Sequence, residues 1–216
     1  LYRPEQKFYR QFKKEDFIIL RSSSNIKGTY YLVLHIETLY IFMMKIVSPS
    51  YLNSKEFHHE FYFCQNFWHR CMTKFYGFVQ ENNKTIGFVY EYMCNGTLNS
   101  YITSSKVKKD DIYSLLTINR IFQAIDYLHC NSLINRDIKP SNILLDHDFI
   151  PFVSDFDSIR YPNQEGISKS DATITNDIGS QLYCSPEQFR GDEFVSYPTD
   201  IYSFGLVIYF LYEKKD

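Results

Sequence analysis

Hydrophobic spacing in this chain changes period near residue 93, and that change limits what it can fold into more than any other feature. Before it, short stretches rich in aromatic and β-branched residues predict strands: "DFIIL" (16–20), "TYYLVLH" (29–35), "LYIFMMKIV" (39–47), "FYGFVQ" (75–80) and "IGFVYEYM" (86–93). "SSSNIKG", "IET" and "ENNKT" between them suit hairpin turns. One helix interrupts them at about 53–68, with Ser54 as its cap. After the change, "DDIYSLLTINRIFQAIDYLH" (110–129) sets Ile112, Leu115, Leu116, Ile118, Ile121, Phe122, Ile125 and Leu128 at helical spacing, with Asp110 as cap. "NGTLNSYI" (95–102) starts a shorter helix. The pattern predicts an α+β chain in two lobes, a β-rich one with one helix over 14–92 and a mainly helical one over 93–216. The hinge is expected near Met93 to Leu98.

Composition excludes several classes. Apolar residues make up 44% of 216, enough to bury a core, so the chain is not of a disordered type. A net charge of −2 supplies no basic face for nucleic acid. The five cysteines (Cys64, Cys71, Cys94, Cys130, Cys184) are scattered and odd in number, so a reduced protein of the cytoplasm is expected. No signal peptide opens the chain, and its start at Leu1 suggests that earlier residues are missing. The longest apolar run, "IYSFGLVIYFLY" (201–212), falls short of the roughly 20 residues of a membrane span and predicts a buried helix.

Polar groups within apolar surroundings carry the chemistry. Lys45 lies inside the strongest strand, "IFMMKIV", where a lysine needs an anionic partner; Glu60, on the following helix, is the candidate. "INRDIKPSN" (134–142) gathers Asp137, Lys139 and Asn142 in a short non-helical segment. Asp155 follows in "VSDFDS". Two carboxylates and a carboxamide suit hard divalent cations, and a Lys–Glu pair with a metal-binding Asp and Asn is chemistry for phosphates. His58 and His59 beside Glu60 lack the H-E-x-x-H spacing and are expected on the helix surface; Cys64 and Cys71 are expected to be core thiols.

In these motifs, taken in order, the chain resembles the eukaryotic protein kinase family over nearly its whole length. "FMMK" (42–45) is similar to V-A-I-K, and Gly28 stands where the third glycine of the phosphate loop belongs. Glu60 matches the helix-C glutamate, and "YEYM" (90–93) the gatekeeper and hinge. "NRDIKPSN" resembles H-R-D-L-K-P-x-N, and "DFD" (155–157) resembles D-F-G. "GSQLYCSPE" (179–187) resembles G-T-P-x-Y-x-A-P-E, and "DIYSFG" (200–205) the start of helix F.

The resemblance implies a two-lobed kinase fold over 1–216 with an incomplete C-lobe, and an ATP- and Mg2+-dependent serine/threonine protein kinase acting on a protein substrate. It implies that Lys45, paired with Glu60, holds the α/β-phosphates. Asp137 orients and deprotonates the substrate hydroxyl, Lys139 sits near the γ-phosphate, and Asn142 and Asp155 bind Mg2+. Ser23, Asn25, Gly28, Tyr30, Met43, Tyr90, Glu91, Met93 and Leu144 border the nucleotide. Ser180 bridges Asp137 and Lys139, and Arg136 pairs with a phosphate on Ser168, Ser170, Thr173 or Thr175. "EYMCNGTL" and "YSFGLVIYFL" resemble the tyrosine-kinase-like branch.

The departures imply a second reading, a pseudokinase-like binding module with impaired nucleotide use. Ser23 and Asn25 replace two phosphate-loop glycines, which normally let backbone N–H groups approach phosphate. Tyr30 and Met43 are bulkier than the usual Val and Ala over adenine. Asn135 replaces the catalytic-loop His, keeping a hydrogen bond and giving up ring packing on Phe156, and Asp157 replaces the D-F-G glycine. The chain stops soon after helix F, so Glu187 is expected to lack its usual arginine. The apolar helix F face is expected to be bare or covered by a partner.

Overall fold

The structure, a computed structural model, describes residues 9–104, 111–162, 181–191 and 195–213. The chain divides into two compact units, 1–93 and 94–216.

The first unit is a six-stranded sheet in the order β1-β5-β6-β4-β3-β2: β1 (Arg10–Phe12), β2 (Phe17–Asn25), β3 (Gly28–His35), β4 (Ile41–Val47), β5 (Phe75–Glu81) and β6 (Lys84–Glu91). Every pairing is antiparallel except β1 with β5. One sheet face closes over a core of Phe12, Phe17, Val33, Phe42, Met44, Val79 and Val89. The other face carries Lys45, Phe78, Phe88 and Tyr90 and packs on helix α2 (Lys55–Asn66), with Phe57–Phe88 and Phe61–Phe78 ring contacts at 5.5 and 4.5 Å. Strand alternation therefore puts Lys45 on the helix side of the sheet.

Ser54 caps α2 as expected, its hydroxyl accepting from the Phe57 N–H at 3.2 Å. A shorter helix, α1 (Pro49–Leu52), precedes it; Ser48 caps it, and Pro49 enters its first turn.

Three features of this unit differ from the sequence expectation. The serine run 22–24 is strand rather than turn, because β2 continues in register with β3 as far as Asn25↔Gly28, leaving a turn of Ile26 and Lys27 alone. Serine carries little strand signal, and cross-strand pairing overrides it. Strand β1 is new: three residues give no readable period, and the pairing with β5 is long-range. Helix α1 is likewise too short to show a period.

The second unit contains α3 (Leu98–Thr103), α4 (Asp111–Cys130), a hairpin of β7 (Ile143–Leu145) and β8 (Pro151–Val153), α5 (Pro186–Arg190) and α6 (Tyr197–Glu213). Helix α4 packs against β8 and α6. Its buried side is Ser114, Thr117, Ile121, Ala124, Ile125 and Leu128, whereas Ile112, Leu115, Leu116 and Phe122 are exposed. The expected Asp110 cap lies outside the described residues.

No helix among the described residues is long and apolar enough to cross a membrane. Cys64 and Cys71 are buried, as expected.

Candidate active site

The first unit holds a buried ion pair. The Lys45 Nζ lies 2.7 Å from Glu60 Oε2, with side-chain exposures of only 3% and 2%. At that burial the pair is stable only if its remaining hydrogen-bonding capacity is also met. Tyr51 donates to the same oxygen at 2.9 Å, and Tyr90 donates to Oε1 at 2.8 Å. Aromatic rings surround the ammonium, with centroids at 4.7 Å for Tyr51, 5.7 Å for Phe88 and 6.0 Å for Tyr30.

The Cys64 Sγ sits 3.2 Å from the Tyr90 hydroxyl. Burial, then the nearby thiol and carboxylate, push Tyr90 well above its ordinary value, so it stays a donor to Glu60. Burial, followed by Glu60, does the same to the Cys64 thiol.

Of the other residues expected around the nucleotide, Met43 pairs in register with Tyr90 on β6 and Leu32 on β3. Tyr30 pairs with Lys45 itself. Glu91 closes β6, its N–H donating to the Lys74 carbonyl at 2.9 Å, and Met93 is buried. Ser23 is exposed on the edge strand β2. The Asn25 side-chain oxygen accepts from its own turn, from the N–H groups of Lys27 at 2.9 Å and Gly28 at 3.2 Å. Gly28 is required by close approach, since a Cβ there would run into the Ile46 carbonyl oxygen.

The second unit gathers Asp137, Lys139 and Asn142. Lys139 Nζ lies 2.8 Å from Asp137 Oδ2, and the Asn142 amide donates to the same oxygen at 2.7 Å and to the Asp137 carbonyl at 3.0 Å. Burial raises the Asp137 carboxyl above its ordinary range; Lys139 and Asn142 oppose this and Asp157 adds to it. Asp155 is reached from this cluster through Ser154, whose hydroxyl donates to the Asn142 carbonyl at 2.8 Å. Asp155 and Arg136 both hold a left-handed backbone (φ 59° and 71°), the kind of strain that persists only where surroundings impose it. Leu144 is half-buried on β7, paired with Phe152.

The donor chemistry fits a hard divalent cation. With its amide nitrogen on Asp137, Asn142 would hold such a cation through its side-chain carbonyl oxygen, and Asp155 would hold it through its carboxylate.

Sequence reasoning missed two supports of this cluster. The first is the fully buried Asp200, which accepts from the Asn135 and Arg136 N–H groups, each at 2.8 Å, and from His129 Nε2 at 2.9 Å. The second is Gln188, whose amide donates to the Arg136 carbonyl at 2.8 Å. The invisible signal was partner geometry: Asp200 opens the helix F motif with no role read from it, and Gln188 follows the last residue of "GSQLYCSPE". Asn135 does keep a hydrogen bond, its Oδ1 accepting from the Asp137 N–H at 3.1 Å, while its buried amide nitrogen has no partner among the described residues.

Glu187, expected to lack its usual arginine, accepts from the Thr199 hydroxyl at 2.6 Å. Ser168, Ser170, Thr173, Thr175 and Ser180 lie outside the described residues.

Comparison with known proteins points one way. The family model "Protein kinase domain" matches residues 26–216. Among similar proteins of Arabidopsis thaliana, Cysteine-rich receptor-like protein kinase 19 is 32% identical over 79% of this chain and 26% of its own length. PR5-like receptor kinase is 32% identical over 76% of this chain and 25% of its own. Mitogen-activated protein kinase kinase 3 is 32% identical over 68% and 27%. The chain thus spans about a quarter of the length of these relatives.

Proposed function

This chain belongs to the protein kinase family, and from that premise we propose that it transfers the γ-phosphate of ATP to serine and threonine hydroxyls of a protein substrate. The observation that carries the reading is the Asp137–Lys139–Asn142 cluster, a carboxylate held by a cation and a carboxamide within 2.8 Å.

In this reading Asp137 orients the attacking hydroxyl and takes its proton. Burial raises its proton affinity, which favours that role. Lys139 stands between this carboxylate and the transferring group, and a lysine at that place supports serine/threonine over tyrosine as acceptor. Asn142 and Asp155 hold Mg2+, which when bound neutralises the phosphate charge. Lys45, kept in place by Glu60, anchors the α/β-phosphates. Tyr30, Met43, Tyr90, Glu91, Met93 and Leu144 border the nucleotide, with Ser23, Asn25 and Gly28 at its phosphates. We place the chain in the cytoplasm, in the tyrosine-kinase-like branch. The exposed Ile201, Tyr202 and Tyr209 on α6 are the surface for a covering partner.

One observation favours the second reading, a binding module that uses nucleotide poorly. The Asn25 oxygen occupies the Lys27 and Gly28 N–H groups that a phosphate would otherwise meet.

Thermal unfolding with and without Mg-ATP, followed by phosphotransfer to serine-, threonine- and tyrosine-containing peptides, separates the two readings. The kinase reading expects a Mg2+-dependent shift and transfer to serine or threonine, both lost in Lys45→Ala. Unchanged transfer in Lys45→Ala overturns it, and a cooperative transition without any shift favours the binding module.

A further inference from the structure

Tyr51 belongs to neither of the motifs around it, yet it touches both members of the buried ion pair. Its hydroxyl donates to Glu60 Oε2 at 2.9 Å, and its ring centroid lies 4.7 Å from the Lys45 Nζ. We propose that Tyr51 is a positioning residue for Lys45, acting through the carboxylate with its hydroxyl and on the ammonium with its ring. The proposal rests on the reading of Lys45 as phosphate anchor.

Chemistry explains the need. A carboxylate oxygen has two good acceptor directions, and on Oε2 Lys45 and Tyr51 take one each. Tyr90 fixes the other oxygen, so the carboxylate cannot rotate without breaking a bond. In a site this buried, an unmet acceptor would cost far more than at a surface, and the Tyr51 hydroxyl removes that cost. The ring adds a cation–π contact on a desolvated ammonium.

Placement explains why Tyr51 can do this reproducibly. Helix α1 starts two residues after β4 ends, is capped by Ser48, whose oxygen accepts from the Tyr51 N–H at 3.3 Å, and is stiffened by Pro49. The Tyr51 ring then stands edge-on to Phe57 of α2, at 6.3 Å and 83°. One short helix thus ties the lysine strand to the glutamate helix.

The test measures Mg-ATP affinity and thermal unfolding for the native chain, Tyr51→Phe, Tyr51→Leu, Glu60→Gln, Lys45→Ala and the double variant Tyr51→Phe/Glu60→Gln. We expect Tyr51→Phe to weaken Mg-ATP roughly tenfold, the scale of one charge-assisted hydrogen bond. Its unfolding temperature should fall by a few degrees, and Tyr51→Leu should lose more because the ring goes too. In the Glu60→Gln background, Tyr51→Phe should cost almost nothing further, whereas a purely structural tyrosine would cost the same in both backgrounds.

Full additivity, or native affinity in Tyr51→Phe while Lys45→Ala loses nucleotide, overturns the proposal and leaves the kinase reading standing. Native affinity in Lys45→Ala overturns both. A second readout needs no nucleotide: acetylation of Lys45 by acetic anhydride, followed by mass spectrometry, should run several-fold faster in Tyr51→Phe, and equal rates overturn the proposal.

Discussion

Asp200 shows how much a single buried acceptor can organise. Its two oxygens receive the N–H groups of Asn135 and Arg136 and the His129 ring, and Arg136 holds φ 71° beside them. Asp200→Ala leaves these donors unmet in the interior and should cost about 3–5 kcal/mol, the scale of breaking a buried charged network. Denaturant unfolding checks the loss, and Asp200→Asn, which keeps one oxygen, should fall between. Glu187 offers a pH test. Burial pushes its carboxyl up, but the Thr199 hydroxyl and neighbouring donors outweigh that and hold it below its ordinary value. A depressed carboxyl adds stability above its unfolded value and loses it as pH falls through the folded one. Glu187→Gln should therefore unfold at a lower temperature at neutral pH and converge with the native chain in acid. At this scale the legible residues were those whose type clashes with their surroundings: Lys45 in an apolar strand, and Asp137, Lys139 and Asn142 in one short loop. The roles of Tyr51, Asp200 and Gln188 were illegible, even though Asp200 opens a recognised motif, because all three act through partners 9, 65 and 52 residues away.

At the scale of elements, the strands and helices long enough to show a period were legible, and the strand β4 carrying Lys45 was the clearest. What eluded the sequence were the pieces defined by contact: β1, α1, the continuation of β2 through serines, and the buried side of α4. That helix is apolar on several sides, so spacing named too many core candidates. Gly77 gives the element-level prediction. A Cβ there would run into the Arg10 carbonyl oxygen, so the glycine is what lets β1 lie beside β5. Gly77→Ala should detach β1 while leaving the rest of the sheet paired. Limited proteolysis should then cut near residues 10–12 much faster than in the native chain, and amide exchange should rise along β5.

The chain divides into two compact units, and the proposed function gives each of them nucleotide ligands. A ligand confined to the native state adds about 2.7 kcal/mol at 100 times its Kd, so Mg-ATP at that excess should raise the unfolding temperature by several degrees. Lys45→Ala in the first unit and Asp155→Ala in the second should each abolish the rise if both contribute ligands. The match to the kinase family begins at residue 26, but the first unit does not. Phe12 and Phe17 lie upstream of that point and are 3% and 7% exposed in the core under β4. Burying each contributes on the order of 2–3 kcal/mol. The recognisable domain is therefore smaller than the part that must fold together. An expression boundary drawn at residue 26 would strip the sheet of β1 and all of β2, and a harmful substitution upstream of it would act on the lysine strand through its floor.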